Sequence, residues 1–251
     1  MFQKLRRPAA LLALCAGFLG GCATNQTVPT EDNWEGLNRG IHAFNTGVDK
    51  IFLKPVARGY RFVTPDPVER GVSNVFSNLS YPVVILSNAL QGKGKAALSD
   101  TGRFLVNSTI GVAGIFDVAT PMGMPKHNED LGQTLAVWGV PSGPYVVIPF
   151  LGPSTLRDGI MIIGNQSLHG RNLIDNSSVR DKLVILEVVS ARANLLPLDS
   201  QWQDSQDPYI FLREAYLQRR NFLIYDGDPP VDDFELDEDF DEDLDDFDDD
   251  L

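Results

Sequence analysis

The chain has 251 residues, with 21 Lys and Arg against 34 Asp and Glu and a formal net charge of −13. Residues 226–251 hold 16 acidic and no basic groups, and residues 1–21 hold three basic ones, so the body between them carries 18 of each sign. A neutral body excludes the basic surface that nucleic-acid binding needs. Two cysteines, one of them in the leader, exclude a disulfide framework or a cysteine-based metal site in the remainder, and about 200 residues suffice for one domain with a sizeable core.

Lys4, Arg6 and Arg7 precede the apolar run Ala9–Leu19, the pattern of a signal peptide and too short for a spanning helix. The sequence Leu19-Gly20-Gly21-Cys22 resembles the bacterial lipoprotein processing box. That resemblance implies cleavage before Cys22, a diacylglyceryl thioether on its sulfur and an acylated amine, and so a durable anchor of several acyl chains. Ala23 stands where an aspartate would resemble an inner-membrane retention signal, which points to the outer membrane. Residues 22–33 then read as a lipidated tether with a span of about 18 Å, which keeps the domain expected over residues 34–225 at the membrane surface or in it.

Asp32 and Glu35 predict a helix start with a capping box. Trp34, Leu37, Ile41, Phe44, Val48 and Phe52 recur at three-or-four spacing, an apolar stripe. Asn38, Arg39, His42, Asn45 and Asp49 lie off it. Thr64-Pro65-Asp66-Pro67 predicts a turn and a helix start. A helix over Val68–Leu79 and a second one opened by Tyr81-Pro82 and running over Val83–Leu90 are expected, divided at the proline. Gln91–Gly94 is a loop without the spacing of a phosphate-binding loop. Over Lys95–Thr109 the pattern is helical, and Asp100, Arg103 and Asn107 fall on one stripe. Ile110–Pro125 is broken by Gly and Pro. In Lys126–Asp130 a lone His127 beside acids reads as the approach to a helix through Trp138, with Glu129 or Asp130 at its positive end, rather than as a metal site.

From Leu131 to Leu156 there is no charged residue. Pro141, Pro144, Pro149 and Pro153, with Gly132, Gly139, Gly143 and Gly152, forbid one long helix. Such a stretch packs inside the protein or meets lipid as a tight hairpin whose backbone bonds are satisfied locally. The membrane-facing hairpin is expected around Trp138, Tyr145, Val146, Val147, Ile148, Phe150 and Leu151. Ser154 is the expected N-cap of a helix over Thr155–Gln166. Further helices are expected over Ser177–Leu196 and, after the Asp207-Pro208 cap, over Tyr209–Ile224, with Arg213, Arg219 and Arg220 solvated, or near lipid phosphates if that helix end faces the membrane. The tail from Asp226 is too charged to fold alone and is expected to be disordered, although Phe240, Leu244, Phe247 and Leu251 are spaced for an amphipathic helix on a partner.

Many of these positions together resemble one family. Glu35, Asn38-Arg39, Phe44-Asn45, Asp49 and Pro55 are followed by Asn74–Leu79, Leu90–Lys93, Arg103-Phe104 and Asn107–Thr109. Gly111, Gly114 and Phe116-Asp117 come next, then Glu129–Thr134, Trp138-Gly139, Gly143–Tyr145, Pro149, Gly152–Ser154 and Arg157-Asp158. In this order they are similar to the MlaA (VacJ) lipoproteins over about residues 34–159, with conservative departures at Asn33, Ser108 and Leu131. The resemblance implies an all-α, single ring-like domain embedded in the inner leaflet of the outer membrane, with a polar channel through it. It implies removal of phospholipids mislocalised in the outer leaflet, work beside a trimeric porin, and delivery to a soluble periplasmic lipid carrier. Polar stripes on lipid-embedded helices must face something wet, so Asn38, Arg39, Asn45, Asp49, Arg103, Asn107 and Asp158 are the channel-lining candidates. No Gly-X-Ser-X-Gly elbow or His-Glu-X-X-His motif is present, so neither an enzyme nor a cofactor is expected. A structural porin adaptor without transport is the alternative.

Overall fold

Trp34 sets the first helix. The computed structural model describes residues 32–230, so the Cys22 lipidation and the expectations for the leader, the tether up to Glu31 and the acidic tail beyond Pro230 lie outside the described residues. Helix α1 spans Glu35–Val48, and Trp34 holds its cap position without a side-chain cap bond. Asp32 instead accepts the Trp34 N–H at 3.1 Å, and Glu35 pairs with Arg39 one turn on at 2.6 Å. The expected capping box is therefore not formed, because the cap is Trp34 and not Asp32, two residues later, which puts Glu35 at the first helical position instead of the third. A wide π turn, Asp49–Leu53, leads without interruption into α2, Lys54–Val63. Pro55 near the start of α2 has no N–H to give, and the widened turn moves the preceding carbonyls away from its ring.

Helix α3 runs over Asp66–Leu90 as one rod through Pro82, where two helices were expected. Packing on both sides of the proline holds the two halves in line: Phe76 and Asn78 are buried before it, Tyr81, Val83 and Val84 around it. The Ser80 hydroxyl donates to the Ser77 carbonyl at 2.7 Å beside the missing bond. Helix α4, Gly94–Thr109, packs along α3. The loop that follows passes close to α3 at Gly114 (φ +87°), where a Cβ would stand 2.5 Å from that of Asn78, so only glycine fits.

Asp130 caps α5, Leu131–Val137, by accepting the Gln133 N–H at 2.9 Å, as its place before the apolar run predicted. Strands β1, Tyr145–Ile148, and β2, Gly152–Thr155, form an antiparallel hairpin with Tyr145 opposite Thr155 and Ile148 opposite Gly152. Thr155 caps α6, Leu156–Leu168; Ser154, the expected cap, lies inside β2. Helices α7, Ser177–Leu195, α8, Asp199–Gln203, and α9, Pro208–Ile224, complete the body, and Asp207 caps α9 by accepting the Tyr209 and Ile210 N–H groups. The architecture is thus mostly helical with one small sheet.

Packing runs from α1 to β1, from the hairpin to α6, then through α5, α3, α7 and α2, which rejoins α1 through the π turn; α9 lies against α5, α8 and β2. This circuit closes on itself. Among the described residues, buried polar and charged side chains outnumber buried apolar ones, while large apolar side chains on most helices are exposed, up to 92% for Phe62. No described helix is long and apolar enough to cross a membrane.

Candidate functional site

The sequence-predicted polar residues fall into four groups. The first clamps the hairpin. Asn38 and Asn45 stand two turns apart on α1. The Asn38 amide donates to the Tyr145 carbonyl at 3.1 Å, and its oxygen accepts the Val147 N–H at 2.9 Å. Asn45 does the same at the turn, donating to the Ile148 carbonyl at 3.0 Å and accepting the Phe150 N–H at 2.8 Å. The edge of β1 that β2 does not pair is thus satisfied by side chains, which removes the cost of an open strand edge. Phe150 sits at φ 64°, a strained conformation for a bulky residue, and Asn45 is what pins it there.

The hairpin itself has two faces. Tyr145 and Val147 are buried with Tyr209 and Leu217, whereas Phe150 (73% exposed) and Leu151 project at the turn. Phe44 of α1 meets the Phe150 ring edge-on at 5.2 Å. Trp138 was expected in the hairpin but closes α5, its indole N–H donating to the Leu90 carbonyl at 3.0 Å. Burial alternates because a strand turns successive side chains to opposite faces, so Tyr145 and Val147 point into the protein and Val146 and Ile148 the other way.

Arg39 and Asp49 share the wall of an open cavity of about 740 Å³, with His42, Lys50, Trp202 and Tyr209. Arg39 forks onto Asp207 at 2.7 and 3.2 Å and lies 4.5 Å above the Tyr209 ring. The pair is well exposed. The bond from Arg39 draws the Asp207 carboxyl down to about 2, and burial lowers His42 below the usual imidazole range. Asp49 takes both forks of Arg192 at 2.7 and 3.0 Å; Arg192 also holds Asp199, which Lys54 meets at 2.7 Å. This buried network ties the π turn to α7 and α8.

Arg103, 1% exposed, donates to Asp117 at 3.0 and 3.1 Å, to the Tyr81 hydroxyl at 2.6 Å and to the Met124 carbonyl. Asn107 accepts the Val118 and Ala119 N–H groups and donates to Asp117. Together they fold the loop after α4 back onto the helix. Asp158 belongs to a fourth group: it accepts from Arg157 at 2.9 Å, from Arg220 at 3.0 Å and from the Tyr216 hydroxyl at 3.0 Å, while Arg220 also grips Asp130 at 2.8 Å. Burial pushes the Asp158 and Asp130 carboxyls up, but the arginines outweigh it and hold both below the usual carboxylate range. Burial moves the Tyr216 phenol up to about 12.

Arg213 and Arg220, expected to be solvated, therefore have mostly buried side chains; Arg219 is exposed. Sequence reasoning also missed Asp199, Arg192 and Lys54, whose partners lie far along the chain. Periodicity places a charge on a helix face but carries no signal of such a partner.

Fold and site define a class: a helical protein that buries many paired polar and charged side chains and leaves many large apolar ones exposed. The model of the MlaA lipoprotein family matches residues 30–223, and the chain belongs to that family. It is 37% identical over 236 residues to the intermembrane phospholipid transport system lipoprotein MlaA of Escherichia coli, covering 90% of this chain and 91% of that one. It is 31% identical to the protein of the same description from Haemophilus influenzae, over 87% of this chain and 90% of that one. A solved structure from work on the structural basis for maintenance of bacterial outer membrane lipid asymmetry superposes with a TM-score of 0.69 at 33% identity, over 77% of this chain and 99% of that one.

Proposed function

We propose that this chain is an outer-membrane lipoprotein, anchored through Cys22 on the periplasmic side. It takes mislocalised phospholipids from the outer leaflet and passes them to a soluble periplasmic carrier, beside a trimeric porin. The observation that carries this reading is the inverted distribution of side chains. Water penalises the exposed Phe62, Phe52, Leu98, Ile163 and Leu173, whereas acyl chains accept them at no cost. Interior polar groups offer a headgroup replacement for its water, so that neither half of the lipid is stranded in the wrong solvent.

The closed circuit of helices supports a ring-like body sunk among lipid chains, with the hairpin tip at Phe150 and Leu151 as its membrane-dipping element. Of the candidate channel residues, Arg39 and Asp49 border an open cavity; Asp49 is taken by Arg192, which leaves Arg39 as the group a headgroup meets. The Escherichia coli and Shigella flexneri relatives are described as phospholipid transport system lipoproteins, and that description agrees with this reading.

The test is lipid flux. Full-length lipidated protein, reconstituted in liposomes carrying a fluorescent phospholipid, should speed loss of that lipid to a soluble acceptor over protein-free liposomes. Equal rates with and without protein, given verified insertion, would refute transport and leave the porin-adaptor role.

A further inference from the structure

Two further cavities flank the segment Lys126–Asn128, and all three of its residues stand in the walls of both. The first, about 530 Å³, is bordered by Ser73, Ser77 and Ser80 of α3 and by Glu187, Ser190 and Asn194 of α7. The three serines recur at i, i+4 and i+7, so they form one hydroxyl strip on α3. Phe76, Tyr81 and Val84 supply an apolar part of the same wall. The second, about 690 Å³, is bordered by Asn88, Lys93, Lys95 and Glu129, and by Phe222 and Asp226 at the end of α9.

The charges around the two cavities do not all pair. Lys93 pairs with Glu129 at 3.0 Å and also with Asp226. Glu187 is taken by Arg171 and His169. Asp100, fully buried behind the shared wall, accepts from Asn88 at 2.9 Å and from His127 Nδ1 at 3.0 Å. The acids are thus matched, and Lys95 and Lys126 are exposed cations with no ion-pair partner among the described residues. Each cavity also has a wall residue with an unpartnered buried oxygen: Ser190 Oγ (residue 2% exposed) in the first and Asn88 Oδ1 (0% exposed) in the second. Such atoms are costly unless a guest or water meets them.

We infer that the junction of these cavities is a binding station for the phosphodiester of a phospholipid headgroup, held by Lys95, Lys126 and His127. An ionised carboxylate only accepts, so Asp100 fixes the His127 proton on Nδ1 and leaves Nε2 as the free ring nitrogen. The imidazolium form donates from Nε2 to a phosphodiester oxygen while Asp100 accepts from Nδ1, so the ring can bridge the two anions. Asp100 is thus a positioning residue for His127. The hydroxyl strip and the apolar wall of the first cavity give the lipid two polarities to follow away from the station. The choice of a lipid over free phosphate, which offers the same oxyanions, rests on the transport reading above.

The experiment titrates full-length lipidated protein, in a phosphorus-free detergent, with dihexanoyl-phosphatidylglycerol below its micellar concentration, followed by phosphorus NMR line broadening. Saturable binding is expected, weakened about tenfold by K95E or by K126E and retained by K95R and K126R. Unchanged melting temperatures of the charge-reversed proteins would exclude misfolding at these exposed positions. Inorganic phosphate at the same concentration should fail to displace the lipid. Unaltered affinity in K95E/K126E, no binding by the unsubstituted protein, or displacement by inorganic phosphate as effective as by lipid would each overturn the station. Lysine-dependent binding without liposome flux would remove the transport reading and leave the station standing; flux indifferent to both lysines would do the reverse.

Discussion

Removing the Asn38 amide should unlatch the hairpin from α1. The residue is 1% exposed and makes three bonds: to the Tyr145 carbonyl at 3.1 Å, from the Val147 N–H at 2.9 Å and to Asp32 at 2.9 Å. Asn38→Ala leaves one backbone carbonyl and one backbone N–H buried and unpaired. Each costs about 1–3 kcal/mol, and allowing for partial entry of water the loss should be about 3 kcal/mol. For a body of this size that lowers the melting temperature by about 6–12 °C. Asn38→Asp separates hydrogen bonding from volume. It keeps an acceptor for Val147 but turns a carboxylate toward the Tyr145 carbonyl and the Asp32 carboxylate, so it should melt at least as low as Asn38→Ala. Thermal unfolding in detergent and hydrogen exchange at the Val147 amide read the two consequences. If Asn38→Ala melted within about 2 °C of the parent and left Val147 exchange unchanged, the clamp would carry no stability.

Three other outcomes follow from the same geometry. Arg103→Ala removes a side chain that is 1% exposed and leaves the Tyr81 hydroxyl, the Met124 carbonyl and the half-buried Asp117 without it, so it should cost about 2–3 kcal/mol; Arg103→Lys should recover little of it in a denaturant midpoint, because one ammonium cannot serve Asp117, Tyr81 and Met124 together. The Asp130 and Asp158 carboxyls are held below their unfolded values, so their contribution is complete above about pH 4 and disappears as pH falls through the folded values. Melting temperatures taken from about pH 6 down to pH 3 should therefore drop, and Asp158→Asn should flatten that acid limb while lowering stability at neutral pH. Phe150→Asp with Leu151→Asp should loosen vesicle association of full-length protein in a flotation assay without changing its melting point, whereas Val147→Asp should unfold it, because Val147 lies in the buried cluster with Tyr209 and Leu217.

The helices were legible because their signals are local. The Asp207-Pro208 cap, the Asp130 cap and the apolar stripe of α1 each need only a few neighbouring residues, and each stands where the pattern put it. Pro82 misled for the opposite reason: a proline costs a helix about 3 kcal/mol locally, and burial of Tyr81, Val83 and Val84 from distant elements outweighs that. The polar stripes were also legible, but not their use. Asn38 and Asn45 read as wet-facing, yet they serve the hairpin edge more than a hundred residues later. That pairing has no trace in local spacing. Arg220 likewise looks solvated on α9 until α5 and α6 bring Asp130 and Asp158 to it.

Matched interior pairs also differ in how easily they can open, and that difference separates frame from gate. Arg220 with Asp158 is buried, as is Arg103 on its side of the pair with the half-buried Asp117, and opening either leaves a charge short of water and partner. Arg39 with Asp207 is well exposed, so water takes over either partner and the pair contributes little. A headgroup phosphate entering the cavity beside Arg39 therefore competes with Asp207 at small cost, and the guanidinium fork suits its oxyanions. Arg39→Gln should leave the melting temperature within about 2 °C of the parent and still slow liposome lipid flux, with Arg39→Lys intermediate because it keeps the charge and loses the fork. Arg103→Ala should show the opposite pattern, a large loss of stability that lowers flux only in proportion to the folded fraction. Equal flux in Arg39→Gln and parent would place the headgroup's path elsewhere and leave Arg39 as a surface contact between α1 and the start of α9.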